Sequence, residues 1–351
     1  VFVNKLDRPR SSFDRTLSQV REAFGSHADP TELPIGKETS FHGVTDLLTH
    51  QAFVYDTGQA TEVDVPEELA AQEQAEHDHL VEDVVELDDD ALEQYLEGAE
   101  PSVEQVERLL HEAVDQALVY PLLCGSATTP IGTDQLAEFI CRVGPAPGDA
   151  GPATVESPDG AVEIAPDPEG PPLVHVIKTT IDEFVGQISM FRVLSGRVRT
   201  DDVLVNARTG ERERMHNLIS LAGATRTQVT SVGAGEIAAV TKLSDTRTGD
   251  TLAGDGVKLT VPVPGLPTAV YGVAIKVAKQ SDEDRQATTL RRMVIEDPTN
   301  TVRHEPSTGQ MLLSGGGETH VRVALSRIER AGVGLEVEDM RCLLYTSDAA
   351  D

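Results

Sequence analysis

A chain whose pattern changes twice predicts a multidomain architecture, an α/β segment followed by an all-β segment and then an α+β segment. Up to about residue 146, short apolar runs alternate with amphipathic helical stretches. From residue 173 to 262, short alternating or β-branched runs are separated by Gly186, Gly196, Gly210 and Gly235, the pattern of a small closed barrel. From residue 268 the order strand, helix, strand, strand, helix, strand is that of a ferredoxin-like βαββαβ fold. At 351 residues the chain is long enough for two or three separate cores.

The first segment opens on a β-type run, Val1-Phe2-Val3. Ser12 to Phe24 carries Phe13, Leu17, Val20 and Phe24 at helical spacing, with Gly25 as the stop. Leu33-Pro34-Ile35-Gly36 is a short apolar piece ending in a turn. Residues 66–118 are strongly helical. Pro66 suits a first helical position, and Leu80, Val84 and Leu87 keep a three-to-four spacing. A second helix follows Pro101-Ser102, with Val103, Val106, Leu109, Leu110 and Val114 on one face. Residues 118–123 read as a strand that runs into Cys124-Gly125-Ser126-Ala127, and a further helix covers Thr133 to Val143. Residues 147–171 are rich in Pro, Gly and acids and poor in large apolar side chains, which predicts a linker with an irregular hairpin.

In the barrel segment, residues 172–265, strands are predicted at Leu173–Lys178, Gln187–Leu194, Arg197–Arg199, Asp202–Val205 and Glu236–Leu243. In the third, residues 266–341, strands are predicted at Ala269–Val277, Thr301–Glu305, Gln310–Ser314 and Gly334–Val337, with helices at Ser281–Glu296 and Glu318–Ala331. Residues 342–351 continue none of these patterns and resemble the translated read-through of a transposon-type sequencing adapter.

Hydrophobic content of 39% and charged content of 25% are ordinary for a soluble globular protein. There is no apolar run of membrane-spanning length and no signal peptide. Cys124, Cys141 and Cys342 show neither metal-type spacing nor a disulfide framework, which suits a reducing cytoplasm. The net charge of −30 argues against nucleic-acid binding, but it is unevenly spread. Glu62 to Asp115 holds twenty acids and one base, Arg108, whereas Leu266 to Arg341 holds eleven acids and ten bases. The acidic stretch reads either as a solvated face or as a docking surface for a basic protein partner.

Asn4-Lys5-Leu6-Asp7 follows the opening strand. In this loop pattern a carboxylate two residues after Lys can accept from the ring N–H and the exocyclic amine of guanine together, a bidentate and charge-assisted contact. Adenine has no such donor pair, so a site built on that carboxylate rejects it. Asn4 can brace the loop, and the Lys5 stem can lie along the base. Gly125-Ser126-Ala127 follows a second apolar strand, and its backbone N–H groups at Ser126 and Ala127 can aim at the guanine carbonyl. Two loops at the carboxyl ends of neighbouring strands fit the placement of ligands in open α/β sheets.

Other motifs carry less. Gly36-Lys37-Glu38-Thr39 lacks the upstream glycine and the Ser or Thr directly after Lys that a phosphate loop requires, and reads as a surface turn. His77 and His79 are two apart on a helix and point to different faces, so the pair does not share a metal ion. Asp88-Asp89-Asp90 reads as a polar helix break, and Gly315-Gly316-Gly317 as a sharp strand-to-helix turn. No residue presents itself as a catalyst or a metal ligand.

Taken together, these motifs resemble the elongation factor G family of translational GTPases, from about Val1 to Met340. Asn4-Lys5-Leu6-Asp7-Arg8 is similar to its guanine loop, and Cys124-Gly125-Ser126-Ala127 to the second one. Leu33-Pro34-Ile35-Gly36, Glu38, Phe41, Gly43 and Asp46-Leu47-Leu48 resemble the segment between, and Tyr95-Leu96-Glu97-Gly98 an inserted subdomain. Lys178-Thr179-Thr180, Phe184-Val185-Gly186 and Thr248-Gly249-Asp250-Thr251-Leu252 resemble the family's second domain, Glu296-Asp297-Pro298 and Thr308-Gly309-Gln310 its third. The resemblance implies that residues 1–146 are the C-terminal part of a P-loop-type GTPase domain with a helical acidic insert at about 56–118. It implies a translation-factor barrel at 172–265 and a ferredoxin-like domain at 266–341. It also implies GTP and Mg2+ as cofactors, with the phosphate and metal ligands upstream of Val1 in an intact protein of which this chain is an internal piece. The implied role is GTP-dependent ribosomal translocation, with recycling as a further task. The implied partners are ribosomal RNA and the stalk proteins of the large subunit, and the implied state is a cytoplasmic monomer away from membranes. Gly315-Gly316-Gly317-Glu318-Thr319-His320-Val321 departs from the family's Gly-Met-Gly-Glu-Leu-His-Leu, and Met215–Ala224 is also irregular. These departures keep a ribosome-protection-type tetracycline-resistance GTPase, or a ribosome-binding paralogue with little or no GTPase activity, as alternatives.

Overall fold

The computed structural model describes residues 1–149, 151–182, 184–223, 225–278 and 283–341. The expectation for the final ten residues lies outside the described residues. The chain divides into two compact units, Val1–Ala150 and Gly151–Asp351.

The N-terminal unit begins with β1 (Phe2–Val3) and α1 (Phe13–Phe24). Ser12 caps α1 by accepting from the Arg15 N–H, and Gly25 ends it at φ 99°. An antiparallel meander follows: β2 (Glu32–Ile35), β3 (Gly43–Asp46), β4 (Gln51–Asp56) and β5 (Gln59–Val63), hydrogen-bonded in that order. The spacing reads residues 66–118 as helical, and the family resemblance implies a helical insert from about residue 56. Residues 59–63 instead pair with β4, all exposed, because pairing along an edge needs no apolar pattern to mark it. Three helices come next, α2 (Glu67–Val85), α3 (Asp89–Leu96) and α4 (Val103–Asp115). Helix α3 is not marked by the apolar spacing. The three aspartates do break the helical run, and Asp88 then caps the new helix through the Ala91 N–H at 2.8 Å. Leu87 lies past the end of α2 and is 44% exposed, so it is not part of the helix's buried face.

The strand expected over residues 118–123 shrinks to β6 (Leu123–Cys124), which lies parallel to β1 with Phe2 opposite Leu123 and Val3 opposite Cys124. Helix α5 (Thr133–Val143) closes the unit. Two apolar clusters hold it together. Val3, Leu6, Phe13, Leu17, Leu33, Val44, Leu122 and Cys124 pack around the strands, and Leu80, Val84, Val106, Leu109, Leu110 and Val143 pack among the helices.

The acidity of Glu62–Asp115 is mostly solvated, with fifteen of its twenty acids exposed. The remaining five each have a structural partner. Glu73 meets His50, Glu76 meets Arg21, Asp83 meets His27, Asp88 caps α3 and Glu107 meets Arg142.

The C-terminal unit starts with a regular hairpin, β7 (Ala153–Ser157) and β8 (Gly160–Ile164). The sequence predicts a linker with an irregular hairpin here, and the observed hairpin is regular over five residue pairs. The hairpin forms because Val155 buries fully against Leu173 and Ala253. The barrel comprises β9 (Leu173–Asp182), β10 (Gly186–Ser195), β11 (Arg197–Arg199), β12 (Val203–Asn206), β13 (Arg212–Arg214), β14 (Ile219–Ala222), β15 (Thr225–Gln228), β16 (Ser231–Gly233), β17 (Ile237–Thr241) and β18 (Thr251–Ala253). Eight of these form one antiparallel sheet in the order β13-β12-β18-β9-β10-β17-β14-β15, and β11 pairs with β16. Val174, Val176, Phe191, Val193, Leu204, Met215 and Leu252 fill the interior. Register shifts within the β9–β10 ladder let these long strands curl.

The last part follows the predicted order closely, as β19 (Tyr271–Val277), α6 (Glu283–Glu296), β20 (Thr301–Glu305), β21 (Gln310–Gly315), α7 (Glu318–Arg330) and β22 (Leu335–Glu338). The sheet order β20-β21-β19-β22 is that of the split βαβ fold. Leu290 and Met293 of α6 and Val321, Ala324 and Ile328 of α7 pack with Ile275 and Leu313 of the sheet. The glycine run is the expected strand-to-helix turn. A Cβ at Gly315 would lie 2.8 Å from His320 Nδ1, and the Gly316 N–H donates to that same nitrogen at 3.0 Å. The other ring nitrogen faces Asp297 at 2.9 Å. Although partial burial raises the Asp297 carboxyl, hydrogen bonds from Thr299 and His320 bring it below its ordinary range.

Candidate functional site

The parallel pair β1 and β6 sends two loops out of the same edge of the N-terminal unit. Leu6 N–H donates to the Gly125 carbonyl at 3.3 Å, and Gly125 N–H to the Val3 carbonyl at 3.1 Å, so the ladder continues into the loops. Gly125 is obligatory in this crossing. A Cβ there would fall 2.3 Å from the Ile131 carbonyl oxygen and 2.7 Å from Phe2 Cζ.

All five residues singled out from sequence converge here. Asn4 Oδ1 accepts from the Lys5 N–H at 2.7 Å and from the Ala127 N–H at 3.0 Å, which ties the two loops together. Ser126 Oγ donates to Asp7 Oδ1 at 2.7 Å. Lys5 occupies the left-handed region at φ 66°, and its side chain is exposed. A non-glycine residue held there points to a loop whose shape is imposed by its surroundings.

The bonding differs in detail from what the sequence suggests. Ser126 N–H donates to the Ile131 carbonyl at 2.9 Å in a small bridge, and Ser126 is fully buried. That N–H therefore does not point outwards, and Ser126 acts through its hydroxyl, orienting the carboxylate of Asp7. Only the Ala127 N–H stands at the exposed rim, shared with Asn4. Sequence cannot reveal this division of labour, because it depends on the turn back to Ile131.

Asp7 keeps 20% of its side chain accessible. Its Oδ2 faces the Arg8 guanidinium at 3.7 Å, a loose and exposed pair that competes weakly with a stronger donor set. One carboxylate oxygen is thus fixed from behind and the other is presented. That arrangement can accept two parallel N–H donors from a planar ligand, with the Lys5 stem beside it. The surface is a rim and not a chamber. A cleft of about 490 Å3 opens nearby beside Leu6 and Lys37, but its lining includes none of Asn4, Lys5, Asp7, Ser126 or Ala127.

Gly36-Lys37-Glu38-Thr39 forms a surface turn, with Gly36 at φ 83° and Glu38 Oε1 accepting from the Arg10 N–H at 2.8 Å. His77 Nδ1 bonds to the Leu47 carbonyl at 2.7 Å while His79 turns toward Asp29 and Asp83, so the two histidines serve different contacts. Among the described residues, no helix is long and apolar enough to cross a membrane.

Comparison with known proteins agrees with this architecture. Residues 171–255 match the family described as elongation factor G domain 2, and residues 266–339 the family described as elongation factor G, domain III. Elongation factor G of Mycoplasma pneumoniae is 30% identical over 334 residues, covering 94% of this chain and 48% of that protein. A crystal structure from Thermus thermophilus superposes with a TM-score of 0.82 at 29% identity, over 97% of this chain and 49% of that one. The chain thus spans about half the length of the relatives it matches. With two consecutive domain families matched and the fold shared along nearly the whole chain, the protein belongs to the elongation factor G family.

Proposed function

We propose that this chain belongs to a translational GTPase that couples GTP hydrolysis to ribosomal translocation, and that Asn4, Lys5, Asp7 and Ala127 read the guanine base, with Ser126 positioning Asp7. The observation that carries the reading is the joining of two loops, more than a hundred residues apart, through Ser126–Asp7 and Asn4–Ala127. An incidental four-residue match gives no reason for the second loop to arrive at the first.

In this reading residues 1–146 are the base-reading part of the GTPase domain. The barrel and the ferredoxin-like domain are the parts that bear on the ribosome. None of this chain's residues matches a phosphate-loop or magnesium-ligand pattern. Magnesium would supply charge neutralisation at the phosphates, and the residues described here would hold only the base. Hydrolysis in such factors releases loops held by the γ-phosphate and lets domains reorient.

The test is nucleotide preference in the 351-residue chain, followed by NMR shifts at high nucleotide concentration. Guanine nucleotides should perturb the Asn4–Asp7 and Ser126–Ala127 amides, and adenine nucleotides should not. Asp7→Asn replaces two acceptors by one acceptor and one donor. It should weaken guanine binding on the order of 100-fold and favour a xanthine nucleotide, whose exocyclic oxygen accepts where the amine donated. Equal response to GTP and ATP would refute the assignment.

A further inference from the structure

Asp29 is fully buried, and neither of its carboxylate oxygens accepts a hydrogen bond. It lies between α1 and β2, on a segment fixed by its backbone. Asp29 N–H donates to the Tyr120 carbonyl at 3.1 Å, and Leu122 N–H donates to the Asp29 carbonyl at 2.7 Å. Across from it runs α2. His79 Nε2 stands 3.7 Å from Asp29 Oδ1, and His79 Nδ1 stands 3.9 Å from Asp83 Oδ1. His79 and Asp83 are four apart and so share one helix face. One ligand atom from each of Asp29, His79 and Asp83 lies within 4.8 Å of the other two. His27 Nδ1 approaches Asp83 Oδ2 from the far side at 3.1 Å.

Buried charge without hydrogen bonds is costly unless a cation or a proton compensates it. The fixed positive charge beside the cluster is Arg21, 3.5 Å from Asp29 and 3.2 Å from Glu76. Asp29, Asp83 and Glu76 together carry three negative charges when ionised. Arg21 offsets one, which leaves two if both imidazoles are neutral. A divalent cation matches that remainder. A proton is the competing occupant, since burial and the neighbouring Asp83 raise the Asp29 carboxyl above its ordinary range.

We propose that Asp29, His79 and Asp83 form a binding site for one divalent transition-metal ion of the zinc type, with His27 orienting Asp83. An imidazole nitrogen with two carboxylates is a donor set zinc accepts readily, and the imidazole disfavours magnesium or calcium. The paired His27 is the kind of outer contact that fixes a ligating carboxylate. The ion would fasten α2 to the segment preceding β2, and so fasten the acidic helices to the strand-bearing part of the same unit. The site is remote in role from the guanine-reading loops and does not depend on them.

The experiment is calorimetric titration of Zn2+ into the metal-stripped 351-residue chain near neutral pH, with zinc counted after dialysis and melting followed with and without EDTA. One equivalent should bind and raise the melting temperature, and EDTA should reverse the rise. His79→Ala and Asp83→Asn should each lose that equivalent and the rise, whereas His216→Ala, on the barrel surface, should keep both. The His79 side chain is 40% exposed, so its truncation removes a ligand without opening the core. Absence of a stoichiometric zinc in the parent chain would overturn the proposal. So would its retention in both His79→Ala and Asp83→Asn. If Asp29→Asn melts higher than a parent chain that takes up no zinc, the occupant is a proton and the metal site is refuted.

Discussion

Glu32 shows how a single carboxyl can depart from its surface behaviour. It is 3% exposed, and burial raises it to about 8, with the Cys124 N–H at 2.9 Å pulling the other way and the charges of Asp46 and Asp134 adding to the rise. The folded state therefore holds a proton that the unfolded chain releases near pH 4.5. Its stabilising contribution is fully present below that value and is lost as pH rises towards 8. Glu32→Gln cannot ionise and still offers an oxygen to Cys124. It should melt higher than the parent at pH 9, by on the order of 1–3 kcal/mol in stability, with the gap shrinking towards pH 5. A gap that does not change with pH would contradict this. At the same scale, the sequence places Asn4, Lys5 and Asp7 correctly on a loop leaving a strand, whereas the hydroxyl role of Ser126 is invisible until Ile131 closes the turn.

At the scale of elements, β1 and β6 are only two residues each, yet they set the candidate site. Their parallel pairing puts both loops at one edge, and Gly125 makes the crossing possible. Gly125→Ala would push a methyl group onto a backbone carbonyl that cannot rotate away. We expect a loss of about 2–4 kcal/mol in urea unfolding and the loss of guanine-dependent NMR shifts. Wild-type stability in that variant would show that the strands can spread, and would weaken the case for a fixed site. Long amphipathic elements such as α1, α5, α6 and α7 are legible within a residue or two because their apolar spacing is local, helped in α1 by the Ser12 cap. Helix α3 and strands β5, β13, β14, β15, β16 and β18 are not, being short and largely polar or borrowing their order from a neighbour's edge.

For the whole molecule, charge is the property with consequences. Fifteen exposed acids between Glu62 and Asp115, most of them on α2, α3 and α4, can present a field to a basic partner over roughly a Debye length, about 8 Å at physiological salt. In an intact factor carrying this chain, reversing several of Glu82, Glu86, Glu93 and Glu97 should lower ribosome-stimulated turnover and flatten its dependence on salt. Unchanged turnover would leave these helices as a solvated face only. The 351-residue chain itself should bind a fluorescent GTP analogue more weakly than about micromolar, since base contacts alone leave the phosphates without partners. Sub-micromolar affinity in that measurement would refute this.

By itself the sequence determined the order of folds, the extent of the long helices, the concentration of acid in one segment and the residue types of the two loops that meet at the candidate site. These are local facts of spacing, capping and composition. Only the tertiary structure decided which oxygen of Asp7 is fixed and which is presented, that Ser126 works through its hydroxyl, and that Asp29 meets His79 and Asp83 across fifty residues of chain. Those outcomes rest on contacts between segments distant in sequence, where burial removes water and leaves each polar atom only the partners the fold brings to it.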